Sequence, residues 1–263
     1  MTRVIFLKNP STPTDPYATH FAATSRTPYF IPLLTHTHND KLATRTYLTS
    51  HRFLHDTPRF IITSQRAVEM FNDVIQTLPR NAQRIIVAKI GYTVGPATFH
   101  LLRDAGFSDV RGGMKAGNGA KLSEMILDDV GGSSEERIVF FTGVVRKDVI
   151  PRRLATLANF EEFVMYATFE RDDIVENFVN CVENGSGGGG EDKDKGGWIV
   201  FFSPQGTSDI IKFLKSSKGS GWRIACIGPT TQEYLVANGL APHVVAAKPD
   251  PESLLHAIQN YKE

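Results

Sequence analysis

The chain has 263 residues, 41% hydrophobic and 22% charged, enough for one large globular domain or two modest ones, and its net charge of +1 offers no whole-molecule field for nucleic acid, so charged ligands must be caught by local groups. Its two cysteines, Cys181 and Cys226, lie far apart and form no CxxC pair, which fits a reduced compartment and excludes a disulfide framework. No run could span a bilayer, and the apolar stretch Val4–Leu7 is too short for a signal peptide, so no membrane partner is expected and the cytoplasm is the expected compartment.

Val4–Leu7, stopped by Lys8-Asn9-Pro10, has the pattern of a buried strand, and Asp15-Pro16 opens a helix to about Thr24. Tyr29–Leu34 reads as a strand continuing toward His38, and Asn39–Asp56 is polar and poorly periodic. Arg59–Thr63 is a strand, followed by a helix with Ala67, Val68, Phe71, Val74, Ile75 and Leu78 on one face. Ile85–Val94 contains another strand whose start the pattern does not place. The segment 108–119 reads as a Gly-rich loop and Asn118–Leu127 as a helix. The pattern then restarts: strand Arg137–Phe141, helix Val149–Leu157, strand Glu162–Thr168, helix Asp172–Val182. Residues 183–197, rich in Gly, Asp and Lys, are an insertion expected to be a disordered loop. Strand Trp198–Phe202, a helix to Leu214, strand Arg223–Ile227, a helix, strand His243–Ala246 and helix Pro249–Tyr261 complete the chain.

Gly95, Pro96, Thr98, Leu102 and Gly106 find Gly228, Pro229, Thr231, Leu235 and Gly239 at a constant offset. In each copy an apolar run ends at Gly, Pro takes the first helical position, and a later Gly stops the helix. Val4–Leu7 likewise answers to Arg137–Phe141, Thr63-Ser64 to Phe202-Ser203, and Leu122 to Leu255. Alternating strands and helices predict parallel sheets with helices on both faces and ligands off the carboxyl ends of the strands. A ligand there would meet Ser64, Thr98, Thr142-Gly143, Ser203-Pro204 and Thr230-Thr231, small residues at helix starts whose free N–H groups suit carboxylates or phosphates. Arg146-Lys147 sits just past a strand tip and could reach an anion, though a solvated helix start would look the same. The one GxGxxG, Gly185 to Gly190, is the glycine run of the insertion and lacks the strand-to-helix setting of a dinucleotide site, and there is no GxxxxGK[ST] and no GxSxG. His36 with His38, and His51 with His55, could pair on one face, but nothing at ligand spacing completes a site, so no metal is expected.

Asp15-Pro16-Tyr17, Ile31-Pro32, Thr63-Ser64-Gln65-Arg66-Ala67-Val68-Glu69, Val94-Gly95-Pro96-Ala97-Thr98, Val164-Met165-Tyr166-Ala167-Thr168, Phe201-Phe202-Ser203-Pro204 and Ile227-Gly228-Pro229-Thr230-Thr231 span nearly the whole chain. In their order and spacing the chain resembles the uroporphyrinogen-III synthase family. It departs in the insertion at 183–197 and in Gln65, where Pro is often found. The resemblance implies an α/β fold of two similar flavodoxin-like domains, parallel sheets flanked by helices, joined by a two-stranded connection, with the active site in the interdomain cleft. Domain one would comprise 1–35 plus 170–263, and domain two 38–167. The implied substrate is hydroxymethylbilane, cyclised with loss of water and inversion of ring D, with no cofactor. A monomer is implied, with a transient handover from hydroxymethylbilane synthase.

Tyr166 matches the family tyrosine proposed to assist departure of the hydroxyl, although a core tyrosine on an alternating strand would occupy the same position. Thr63, Ser64, Arg66, Thr98, Gly143, Arg146, Lys147, Ser203, Pro204, Gly206, Thr230 and Thr231 are the candidate donors to the carboxylate arms. A non-catalytic two-domain binder of an anionic ligand and a flavodoxin-like nucleotide module remain as alternatives. Bound flavin colour marks the second; the porphyrinogen isomer formed from hydroxymethylbilane decides against the first. The insertion carries its own expectation: shortening 183–197 to a few residues leaves turnover unchanged, and a large fall in turnover with an intact fold would show that it does more than connect.

Overall fold

The computed structural model describes residues 2–11, 14–131, 135–184, 197–216 and 221–262. Of the expected loop at 183–197, residues 185–196 lie outside the described residues. The chain divides into two compact units, Met1–Thr35 with Phe169–Glu263 (domain one) and His36–Thr168 (domain two).

Domain one contains β1 (Thr2–Leu7), α1 (Pro16–Ala22), β2 (Arg26–Ile31), α8 (Ile174–Asn184), β9 (Trp198–Phe201), α9 (Ser208–Leu214), β10 (Arg223–Cys226), α10 (Pro229–Ala237), β11 (Val244–Val245) and α11 (Pro251–Gln259). Domain two contains α2 (Lys41–Thr49), β4 (Arg59–Ile62), α3 (Gln65–Ile75), α4 (Arg80–Val87), β5 (Ile90–Val94), α5 (Pro96–Asp104), β6 (Asp109–Gly113), α6 (Gly119–Val130), β7 (Ile138–Gly143) and α7 (Val149–Leu154). Two strands, β3 (Leu34–His38) and β8 (Phe160–Glu170), run across the points where the chain passes from one unit to the other.

The strand orders are β11-β10-β9-β1-β2 and β3-β8-β7-β4-β5-β6. Leaving β3 aside, the two sheets superpose in order: β1 answers to β7, β2 to β8, β9 to β4, β10 to β5 and β11 to β6. All these neighbours pair in parallel; domain one has the doubly wound order 2-1-3-4-5, and domain two has the same order when its count begins at β7. The sequence echo is therefore a tandem repeat cut across the domains. Strands one and two of the first repeat fold with three, four and five of the second, and the remainder form domain two.

Helices cover both faces of each sheet, which is why the central strands are continuous apolar runs. In domain one, Ile5, Leu7 and Phe201 pack with α8, α9 and α10, while Val4, Phe6 and Val200 face α1 and α11. In domain two, Phe60, Val139 and Phe141 pack against α2, α3 and α5, while Ile61, Tyr92 and Phe140 face α6 and α7. Asp15 is buried and caps α1, accepting the N–H groups of Tyr17 and Ala18. Burial alone would raise its carboxyl; the bonded Lys8 ammonium and the N–H groups of Ser11 and Tyr17 outweigh that and hold it below the usual carboxylate range. The Asp15-Pro16-Tyr17 match is thus a structural joint, with the Tyr17 hydroxyl donating to Pro249 O at 3.1 Å.

Several local expectations are corrected. The single strand Tyr29–His38 is two strands of different sheets, because Pro32 removes a ladder donor and Asn9 bonds the break. Asn9 Oδ1 accepts the N–H groups of Leu33 and Leu34 at 3.1 and 2.9 Å, and its amide donates to Leu34 O. The stretch after Asn39 folds as α2, capped by Asp40, and a turn of π-helix at Arg52–Asp56; α2 buries only Thr44 and Leu48, too thin a stripe to register as periodic. The Gly-rich loop contains β6, an edge strand whose Gly112 (φ +91°) lies where a Cβ would come within 2.2 Å of Thr93 O.

Lys89, just before β5, is buried and donates to Leu54 O and Thr57 O at 2.9 and 2.8 Å over the Phe53 ring. Burial pulls its ammonium down to about 8, with Asp56 opposing. A neutral amine still has two hydrogens for the two carbonyls. Above pH 8 the folded chain releases this proton while an ordinary unfolded lysine keeps it up to 10.5, so the unfolded state binds more protons and stability rises with pH. The window closes at about 9, where the thiols of Cys181 and Cys226, raised by burial, begin to act the other way, joined from 10 by Tyr17 and Tyr92, pushed up to about 12 chiefly by burial. Urea unfolding at pH 8 and 9 should show this gain in the native chain and its loss in Lys89→Met; equal slopes would refute it.

Candidate active site

In domain two the carboxyl ends of β4, β5, β7 and β8 open onto a cavity of about 580 Å³. Thr63, Ser64, Arg146, Lys147 and Tyr166 line it, all residues expected at a site. The sequence places them there by simple means. β4 ends at Ile62 and Ser64 caps α3, its Oγ accepting Ala67 N–H at 3.0 Å. The ladder between β7 and β8 shifts register between Thr142 and Gly143, so Gly143 pairs with Tyr166. Tyr166 Oη lies 3.0 Å from Ser64 Oγ. Its ring rests on Gly143, where a Cβ would come within 2.8 Å of Cζ.

His36 on β3 packs the edge of its ring against Tyr166, with centroids 6.4 Å apart, and its Nδ1 is 2.9 Å from Thr168 Oγ1. Burial lowers its pKa first and the Arg66 charge second, with Glu69 opposing, so the imidazole is neutral at pH 7. His38 is instead engaged with Asp73 at 2.8 Å. The two histidines on one strand face thus have separate partners.

The charged candidates differ in availability. Arg66 forms a bidentate pair with Glu69 at 3.0 and 2.8 Å and does not line the cavity. Arg146 is gripped by Glu162 and Asp148, which raises its pKa, the Glu162 bond first. Lys147 has no ion-pair partner among the described residues and is the freer cation. Thr98 is buried at the start of α5 outside the cavity lining, leaving its backbone N–H as the group it offers.

Asn118, Gly119 and Ala120 also line this cavity and were not among the expected site residues. Asn118 caps α6, accepting Lys121 N–H at 3.0 Å. The helix start was legible, but with β6 read as loop it did not register as a strand-to-helix turn. Val145, which also faces the cavity, is 86% exposed and gives it an apolar rim suited to a ring system. A separate cavity of about 560 Å³ flanks β6, lined in part by Phe99, Met114 and Met125, and holds none of the expected residues.

Domain one repeats the arrangement at smaller scale. The ends of β9, β10 and β11 enclose about 320 Å³ lined by Ser203, Pro204, Thr230 and Thr231. Pro229 opens α10, and the N–H groups of Thr230 and Thr231 have no partner among the described residues. Thr231 itself is buried. Gly206 N–H is already taken, donating to Glu170 Oε1 at 2.9 Å, so this turn binds a carboxylate from its own chain.

Fold and cavities together define a doubly wound, two-domain α/β protein whose strand ends carry helix-start N–H groups and, in domain two, a phenol. The family model described as uroporphyrinogen-III synthase HemD matches residues 15–256. The Saccharomyces cerevisiae uroporphyrinogen-III synthase is 38% identical over 269 residues, covering 99% of this chain and 96% of that one. The Schizosaccharomyces pombe enzyme is 29% identical, covering 100% and 98%. The crystal structure of the Helicobacter pylori uroporphyrinogen-III synthetase shares the fold over the full length of both chains, with a TM-score of 0.59 at 14% identity. The chain belongs to the uroporphyrinogen-III synthase family, lyases of haem biosynthesis. No helix among the described residues is long and apolar enough to cross a membrane.

Proposed function

We propose that the chain closes hydroxymethylbilane to uroporphyrinogen III with Tyr166 as the proton donor to the departing hydroxyl. The observation that supports this is the Tyr166 hydroxyl on the cavity wall, bonded to a helix-capping serine. A neutral phenol donates without bringing a negative charge toward a substrate that already carries eight carboxylates. Its proton joins the hydroxyl oxygen, the carbon–oxygen bond breaks, water leaves, and the pyrrole becomes an azafulvene cation. Attack by the substituted end of the last ring gives a spiro centre, which fragments and recloses with that ring inverted.

The acetate and propionate arms are proposed to rest on the helix starts: Thr63 and Ser64, Thr98, Gly143, and in domain one Ser203, Pro204, Thr230 and Thr231, with Gly206 contributing only by leaving Glu170. Of the expected cations, Lys147 is the one without an ion-pair partner among the described residues, and Arg66 and Arg146 contribute only by leaving their present carboxylates. The proposed setting is a monomer in the cytoplasm that takes its substrate from hydroxymethylbilane synthase, in keeping with two free cysteines. Incubation with hydroxymethylbilane, followed by identification of the porphyrinogen isomer, tests the proposal. Isomer III is expected; only the uninverted isomer, at the unassisted rate, would overturn it.

A further inference from the structure

We propose that Ser64 is a positioning residue that turns the Tyr166 proton into the cavity and steadies the phenolate left behind. The inference rests on Tyr166 as proton donor, and it assigns Ser64 a different task from holding a carboxylate arm.

A serine hydroxyl has one hydrogen to give and two lone pairs to accept with. Ser64 Oγ accepts Ala67 N–H at 3.0 Å as the cap of α3, and lies 3.0 Å from Tyr166 Oη. One lone pair is therefore committed to the helix. The N–H it accepts belongs to the first turn of an eleven-residue helix, the positive end of its dipole. A hydroxyl polarised in this way becomes a better donor, because bonds in a chain strengthen one another. Its hydrogen is directed to Tyr166 Oη. The order then runs Ala67 N–H to Ser64 Oγ–H to Tyr166 Oη–H, and the last hydrogen is left for a ligand.

The chain matters most as the proton moves. The Oη–H bond breaks and the proton goes to the hydroxymethyl oxygen of the substrate. The carbon–oxygen bond breaks with its electron pair on that oxygen, which leaves as water. Negative charge appears on Tyr166 Oη, where the Ser64 hydrogen already points. The proton lost from the pyrrole carbon at ring closure returns to Oη, so the site ends as it began. With the opposite order, Tyr166 donating to Ser64, the phenolic proton would face away from the substrate and Ser64 would hold the only free hydrogen.

The test is steady-state turnover of hydroxymethylbilane by Ser64→Ala, Ser64→Thr, Tyr166→Phe and the double variant Ser64→Ala/Tyr166→Phe. Ser64→Ala should lower kcat about tenfold with KM within about twofold, less than the roughly 10²-fold low end for loss of the acid itself. Ser64→Thr, which keeps both the cap and the donor, should recover most of the rate. The double variant should be no slower than Tyr166→Phe, because Ser64 acts through that phenol. If Ser64→Ala loses too much of α3 to fold, Ser64→Gly serves, since glycine caps nearly as well. A rise in KM with kcat unchanged would make Ser64 an arm donor and overturn this inference while leaving Tyr166 as the acid. Independent losses that multiply in the double variant would overturn it too. Full activity in Tyr166→Phe would remove the acid assignment itself, and this inference with it.

Discussion

Tyr166→Phe slows formation of uroporphyrinogen III about 10²-fold, the low end of what a general acid contributes. The low end is expected because the hydroxyl leaves from an electron-rich pyrrole that helps to expel it. Folding is nearly untouched. The ring keeps its seat on Gly143 and its edge contact with His36, Ser64 keeps the Ala67 N–H, and the Ser64 hydrogen that loses Oη faces an open cavity rather than a sealed core. One hydrogen bond at the edge of a cavity is lost, about 0.5–1.5 kcal/mol. Thr98→Ala and Thr231→Ala should cost less rate, since the backbone N–H groups at those turns survive the substitution. Turnover and isomer ratio measured for the three variants side by side decide the matter. Full rate in Tyr166→Phe with collapse in a threonine variant would reduce the tyrosine to packing and move the chemistry to the turns.

How far the sequence carried the fold depended on the range of the forces involved. Gly95-Pro96 and Gly228-Pro229 were legible because their signal is local: a strand end, a helix start and nothing distant. The same holds for Ser64, which caps its own helix. β6 was missed because an edge strand with a glycine pair at its end shows neither alternation nor a continuous apolar run. The cut across the tandem repeat is nonlocal. Nothing in Val4–Leu7 says whether it will pair with Arg59–Ile62 or, as it does, with Trp198–Phe201. Only the family resemblance carried that division. At the site, Tyr166 could be named from its motif, but its neighbours could not. The Arg146 grip on Glu162 spans sixteen residues, the Gly206 bond to Glu170 thirty-six, and the Ser64 bond to Tyr166 one hundred and two. Each redefines a residue that the sequence offered as a ready anion donor.

Gly143→Ala should lose nearly as much rate as Tyr166→Phe while leaving the fold standing. The added methyl would lie 2.8 Å from Tyr166 Cζ and 3.0 and 3.2 Å from its two Cε atoms. Carbon atoms settle about 3.5–4.0 Å apart, so the hydroxyl end of the ring has to rise from its seat by up to about 1 Å. A shift of that size lengthens the 3.0 Å bond to Ser64 and takes the phenol out of line with the leaving group. Misplacement by about 1 Å can cost 10²-fold in rate. Stability should change little. Gly143 is not among the glycines with positive φ, so alanine suits its backbone, and the clash falls on a side chain at a cavity wall that can swing aside. Replacing glycine at a compatible position even gains about 0.4–1 kcal/mol by restricting the unfolded chain. The variant separates two roles for this glycine. As a backbone donor to a carboxylate arm it keeps its N–H when it becomes alanine, and the rate holds. As the bare platform for the acid it fails. kcat for Gly143→Ala, Tyr166→Phe and their double, together with thermal unfolding of each, supplies the answer: the double should match Tyr166→Phe, and a Gly143→Ala enzyme at wild-type kcat would show that the ring needs no such seat.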